Sequence, residues 1–189
     1  FVDYIIEHLK PTGRAGIVVP EGIIFQSGTA YKTLRKKLVE DCLVGVISLP
    51  AGVFQPYSGV KTSVLILDKA LNQKSDGIFF AKVENDGFSL GAQRTPISKN
   101  DLPEVIQKFS HFTHESNEGY AGHSVSKTEI LASNDIGLSF SRYQKSERLN
   151  SGISFIQIGE VCNVFNGSTP SKKNEEYWVN GDFPWFTIE

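Results

Sequence analysis

Four groups of side chains in this sequence have types and spacings suited to chemistry. Lys32, Arg35, Lys36 and Lys37 crowd one stretch. On a helix they would offer cations to phosphate, or simply form its wet face. Ser168, Thr169, Ser171, Lys172 and Lys173 stand in a polar run after Gly167, and hydroxyls with ammonium groups suit phosphate and base-edge contacts. Lys61 and Thr62 border a loop, where a lysine can meet a phosphate or remain solvated. His111, His114 and His123 lie in a Ser-, Gly- and His-rich stretch; a zinc site would want more ligands and nearer cysteines, so no metal is expected. Cys42 follows Glu40 and Asp41, an acidic setting that disfavours a reactive thiolate. It reads as a small buried residue.

The elements that must position these groups follow from periodicity. Phe1, Val2, Ile5, Ile6 and Leu9 recur at helical spacing until Pro11 and Gly13. Ala15 to Pro20 is a continuous apolar run, the pattern of a strand buried on both faces. Thr29 to Glu40 predicts a helix with Leu34 and Leu38 inward and Lys32, Arg35, Lys36 and Lys37 mostly outward. Leu43 to Leu49 and Thr62 to Leu67 predict two more strands. The first two strands alternate with helices, as in a right-handed parallel crossover. Between the second and third, Pro50 to Lys61 is too short for a helical crossover, so the third should run antiparallel to its neighbour. Asn72 to Gly77 reads as a loop, Ile78 to Val83 as a strand, and Gly87 to Gln93 as a turn and return. Asp101 with Pro103 looks like a helix start. His111 to Ser126 reads as a linker, and apolar patterning resumes from Ile153 to Val164.

Composition sets bounds on function. Of 189 residues, 40% are hydrophobic and 21% charged, enough to bury a core. No apolar run is long enough to cross a bilayer, and no membrane role is expected. Two distant cysteines make a disulfide framework unexpected and a reducing cytoplasm the default. The net charge of -2 counts against strong DNA binding by this chain alone. Residue 1 is Phe, no Met occurs, and the last residues stop within a strand-like run. The chain is expected to be an internal piece of a longer protein.

Two stretches resemble known families. The first comprises Leu9-Lys10-Pro11-Thr12-Gly13-Arg14-Ala15-Gly16-Ile17-Val18-Val19-Pro20-Glu21-Gly22-Ile23-Ile24-Phe25, then Ile47 to Phe54, then Gly59 to Lys69, with Asp86 to Leu90, Arg94 and Asn100 to Pro103 behind them. It is similar to the C-terminal half of the catalytic domain in modification subunits of type I restriction systems, which are adenine-specific DNA methyltransferases. The second runs from Ile158-Gly159-Glu160-Val161-Cys162 through Gly167 to Lys172, then Tyr177-Trp178 and Pro184-Trp185. It resembles the opening of a target-recognition domain from a type I specificity subunit.

The resemblance implies an α/β fold: the C-terminal half of a Rossmann-like methyltransferase sheet with a reversed strand, then an extension and the start of a recognition domain. The expected division is catalytic domain at 1–70, tail extension at 71–110, linker at 111–150 and recognition domain at 151–189. The family's cofactor is S-adenosylmethionine, held by a glycine-containing strand–turn, and an Asn/Asp-Pro-Pro-aromatic motif holds the amino group. Neither motif occurs here, nor does G-x-G-x-x-G, so catalytic and cofactor residues are expected upstream of Phe1. In related enzymes an aromatic in the loop before the reversed strand stacks on the flipped base. The matching position is Phe54, for which a buried loop anchor is the alternative. Lys61, Thr62, Ser168, Thr169, Ser171, Lys172 and Lys173 are the expected DNA contacts; Trp178 and Trp185 are expected in the core. Double-stranded DNA is the implied partner, with specificity and restriction subunits. A non-catalytic DNA-binding, specificity or assembly module is the competing reading. An unrelated α/β enzyme would leave Gly167 to Pro170 and the Phe54 loop without a role.

Overall fold

A computed structural model describes residues 1–114, 124–144, 156, 158–163, 173, 174, 177 and 179. Residues 1–146 form one compact unit and 147–189 a second.

In the first unit, α1 (Val2–His8) leads to β1 (Arg14–Pro20), α2 (Gly22–Phe25), α3 (Thr29–Asp41), β2 (Leu43–Ser48), β3 (Thr62–Asp68) and α4 (Lys69–Lys74). Then come β4 (Gly77–Lys82), β5 (Asp86–Phe88), β6 (Pro96–Asn100), α5 (Leu102–His114), β7 (Ser124–Ser126), α6 (Lys127–Ala132) and α7 (Phe140–Tyr143). Five strands form one sheet in the order β1-β3-β2-β4-β7, and β5 pairs with β6 apart from it. Among the described residues only β2 and β4 pair in parallel; β3 runs antiparallel to both β1 and β2. This is a mixed α/β fold with a mostly antiparallel sheet.

The strands that alternate with helices are therefore not neighbours. β3 lies between β1 and β2, with Pro20 opposite Thr62 and Arg14 opposite Asp68. β1 ends the described sheet and is buried only at alternate residues: Ile17 and Val19 point into the core, whereas Val18 is 51% exposed. Within this chain only one face of the apolar run is covered.

The core is split by the sheet. On one side Ile17, Val19, Val46, Leu65, Leu67, Ile78 and Phe80 pack with Val2 and Ile6 of α1, Leu38 and Val39 of α3, and Ile130 of α6. On the other, Phe79, Ala81 and Val83 meet Val105 and Phe112 of α5. The Phe79 ring lies 5.4 Å from that of Phe109 and 5.8 Å from that of Phe112, spacings at which aromatic pairs attract beyond their area burial.

Three local readings change. Lys69 to Lys74 is a helix, capped by Asp68, whose carboxylate accepts from the Leu71 N–H at 2.8 Å. Buried Asn72 donates to the carbonyls of Val39 and Leu43 at 3.1 and 2.8 Å, so this polar segment is bound into the core. Asp101 does not cap α5 with its side chain; its carboxylate accepts from the Glu84 and Asn85 N–H groups, each at 2.8 Å, and Asn100 accepts from Leu102 instead. The stretch read as a linker also changes: His111–His114 ends α5, and Ser124–Ser126 is β7, paired with β4. Ile130 and Leu138 beyond it are fully buried. Composition misleads here because few aliphatics suffice when each fills a core position. His123 lies outside the described residues.

In the second unit the described residues include α8 (Ile158–Val161), with Ile158 and Val161 exposed. Trp178 and Trp185 lie outside the described residues.

Candidate functional site

The loop between β2 and β3 is built as a series of tight turns. Its backbone N–H groups donate inward: Gln55 to Gly52 O at 3.0 Å, Tyr57 to Phe54 O at 2.9 Å and Ser58 to Phe54 O at 3.0 Å. Gly52 has φ +87°, and a Cβ there would sit 3.0 Å from the Leu90 carbonyl oxygen of the β5–β6 hairpin. Both the backbone conformation and the close approach require glycine. The roots of the loop are tied by Leu49 N–H to Thr62 O at 3.0 Å and Glu21 N–H to Lys61 O at 3.1 Å.

On this frame the aromatic side chains face outward. Phe54 is 40% exposed and Tyr57 94% exposed. Phe54 is thus partly exposed rather than buried. Phe88 and Leu90 of the adjacent hairpin segment are also exposed. Arg94 lies over the Phe88 ring, 5.5 Å from its centroid, while pairing with Asp86.

The two polar residues expected beside Phe54 sit differently. Thr62 is buried, with its hydroxyl inside and without a partner, so it presents nothing to DNA. As the first residue of β3 it is covered by the sheet it opens. Lys61 is partly exposed, but its Nζ lies 2.8 Å from Glu21 Oε1. Glu21 was not singled out by its sequence context; its partner lies forty positions away.

The cationic stretch on α3 also divides. Arg35 is fully buried and donates to four backbone carbonyls: Ile136 and Ile23 at 2.8 Å, Gln26 at 2.7 Å and Asp135 at 2.6 Å. Burial lowers its pKa, and the nearby Asp135 charge opposes that shift. Lys37 is held by Asp3 at 2.7 Å and Glu7 at 2.9 Å, hydrogen bonds that raise its pKa. Lys36 stands 3.8 Å from Glu40. The stretch is therefore no uniform wet face: α3 turns one of its cations inward. Arg35, Leu38, Val39 and Cys42 fall at i, i+3, i+4 and i+7, one buried stripe. That spacing was the available signal for Arg35. Burial pushes the Cys42 thiol up to about 11.

A cavity of about 650 Å³ opens at the far end of the sheet, lined by Arg14, Gly16, Ile66, Asp68, Lys74 and Phe109 among others. It does not fit a methyl donor for a base held near Phe54. Six steps along β3 from Thr62 to Asp68 separate it from the loop by roughly 20 Å, whereas donor and acceptor must be in contact. Its one carboxylate, Asp68, is already bound by Arg14 at 2.7 Å and by the Leu71 N–H. Among the described residues no group of three or more His, Cys, Asp or Glu side chains could hold a metal, and no helix is long and apolar enough to cross a membrane. Lys173 is exposed; Ser168, Thr169, Ser171 and Lys172 lie outside the described residues.

Comparison with known proteins places these features. Residues 1–151 match the family described as N-6 DNA Methylase, and residues 150–189 match the type I restriction modification DNA specificity domain. The chain is 30% identical over 164 residues to the type I restriction enzyme EcoKI methylase subunit of Escherichia coli (strain K12), covering 78% of this chain and 30% of that protein. It is 42% identical over 45 residues to the EcoprrI specificity subunit of Escherichia coli, covering 23% of this chain and 11% of that protein. The crystal structure of a type I restriction-modification methyltransferase subunit from Streptococcus thermophilus superposes with a TM-score of 0.53 at 28% identity, over 74% of this chain and 28% of that one. The chain thus spans under a third of these methylase relatives. A family match over residues 1–151 covers most of the sequence: this chain belongs to the N-6 DNA methylase family.

Proposed function

We propose that this chain is part of an adenine-specific DNA methyltransferase of a type I restriction-modification system, acting in the cytoplasm. The parent enzyme would move the methyl group from the sulfonium of S-adenosylmethionine to the exocyclic N6 of adenine, with loss of a proton from that nitrogen. S-adenosylmethionine would be held by parts of the protein other than these residues. Antiparallel β3, lying between β1 and β2, is read as the reversed strand of a Rossmann-like methyltransferase sheet.

Phe54 carries the proposal. The adenine amino group is unreachable inside the stacked duplex, so the base must leave it. A base outside the duplex needs a flat apolar partner, and aromatic stacking is worth ~1–3 kcal/mol per base. Phe54 offers such a face: it is exposed, yet sits on a loop pinned at both roots and at Gly52. Residues 150–189 would begin the DNA-reading domain, with Ser168, Thr169, Ser171, Lys172 and Lys173 as contacts to double-stranded DNA, and specificity and restriction subunits as partners. The deciding experiment incubates the full-length protein with DNA and S-adenosylmethionine labelled on its methyl group. Label recovered as N6-methyladenine supports the proposal. DNA retention without label in adenine would favour a non-catalytic binding or assembly module.

A further inference from the structure

The Phe54 loop is anchored on the β1 side as well as across its own roots. Pro20 opposite Thr62 is the last pair of the β1–β3 ladder. Glu21 and Lys61 form the next rung and are joined twice, through Glu21 N–H to Lys61 O at 3.1 Å and through Lys61 Nζ to Glu21 Oε1 at 2.8 Å. The Glu21 side chain is 19% exposed and that of Lys61 43%. Glu21 immediately precedes α2, and α2 is firmly mounted. Arg35 takes the carbonyls of Ile23 and Gln26, Ile24 is fully buried, and its carbonyl accepts from Leu138 N–H at 2.8 Å. The carboxylate of Glu21 thus projects from a fixed base toward the end of the loop.

We propose that Glu21 is a positioning residue. Its carboxylate holds Lys61 and so fixes the root of the loop that presents Phe54 to the flipped adenine. This rests on the stacking reading of Phe54. It also gives Lys61 a different role from phosphate contact. An ammonium already engaged by a carboxylate offers little net charge to DNA.

The two roles of Lys61 predict opposite results for Glu21→Gln. A phosphate contact freed from its carboxylate would bind DNA more tightly and steepen the salt dependence by about one unit of slope. An anchor that loses its partner would leave DNA affinity unchanged and loosen the stack. The test uses the full-length methyltransferase and a duplex carrying its methylation site, located by sequencing DNA that the wild-type enzyme has modified. The target adenine is replaced by 2-aminopurine, whose fluorescence is quenched by stacking. Methyl transfer is followed on unmodified DNA.

Phe54→Ala should raise the fluorescence fully and lower kcat. Glu21→Gln should raise it in the same direction but less, and lower kcat about two- to fivefold, the scale of one partly exposed ion pair. KM for DNA should not change. The charge-reversed pair Glu21→Lys with Lys61→Glu should return both readouts to near wild type. Wild-type fluorescence and kcat in Glu21→Gln, with Phe54→Ala impaired, would overturn the positioning role and leave stacking intact. Tighter DNA binding by Glu21→Gln would overturn it in favour of phosphate contact. A silent Phe54→Ala would remove the stacking reading, and the positioning role with it.

Discussion

The segments on either side of β2 treat their side chains in opposite ways. Helix α3, before it, draws the guanidinium of Arg35 into the core. The loop after it leaves Tyr57 almost wholly and Phe54 partly open to water. Ordinary sorting would reverse both. For Arg35 the explanation is backbone accounting: four carbonyls from two chain segments, Ile23 and Gln26 on one and Asp135 and Ile136 on the other, converge on one planar group with five donors. Phe54 differs: part of its ring is covered within the loop and 40% stays exposed, apolar surface whose further burial would be favourable. The contrast separates a cation used on the chain's own carbonyls from an aromatic face that stays partly open, the face proposed to meet a flipped base.

The largest effect should come from the buried cation. Arg35→Met removes donors from the carbonyls of Ile23, Gln26, Asp135 and Ile136 and should cost about 3–5 kcal/mol in urea unfolding. Arg35→Lys should recover only a minor part, since a single ammonium cannot span four acceptors. A loss below about 1 kcal/mol for Arg35→Met would erase the contrast with Phe54. Next is Asn72, whose amide ties the carbonyl of Val39 at the end of α3 to that of Leu43 at the start of β2. Asn72→Ala should cost about 1–3 kcal/mol by the same measurement.

A smaller, pH-dependent effect sharpens the Arg35 side. The Asp135 carbonyl is one of its four acceptors, while the Asp135 carboxylate is held by Arg142 at 2.6 and 2.7 Å. The hydrogen bonds from Arg142 lower its pKa below the ordinary 3.8. A folded pKa below the unfolded one means stability that is fully present above 3.8 and lost as pH falls through the lower folded value. Unfolding at pH 6 and again in the acid range should therefore show the gap between wild type and Asp135→Asn closing with acid. A gap independent of pH would contradict the pairing. The smallest effect belongs to Lys36, exposed and 3.8 Å from Glu40. Lys36→Ala should change stability by less than about 0.5 kcal/mol.

Much of the fold was legible because period and turn chemistry are local. The helices at Val2–His8 and Thr29–Asp41 and the strands at Leu43–Ser48 and Thr62–Asp68 follow their apolar spacing. The order of strands did not follow, since insertion of β3 between β1 and β2 depends on contacts forty and more residues apart. The folding of 124–144 was hidden by composition: Ile130, Leu138 and the Tyr143 ring against Phe80 suffice to seat a polar stretch. At the site, Phe54 could be found through resemblance, and the structure adds its exposure. Arg35 sat in plain view on the inner stripe of α3, masked by the lysines around it. Glu21 had no local signal, because its meaning lies in Lys61.

The central claim is that the loop after β2 presents Phe54 to a flipped adenine. Its most direct test compares Phe54→Ala with wild type in the full-length enzyme, measuring methyl transfer to DNA, S-adenosylmethionine binding and thermal unfolding together. The account predicts a fall in kcat of about 10- to 100-fold, as expected from losing one base stack. Cofactor affinity should be unchanged and the melting temperature lowered by only a few degrees. Undiminished turnover would contradict it.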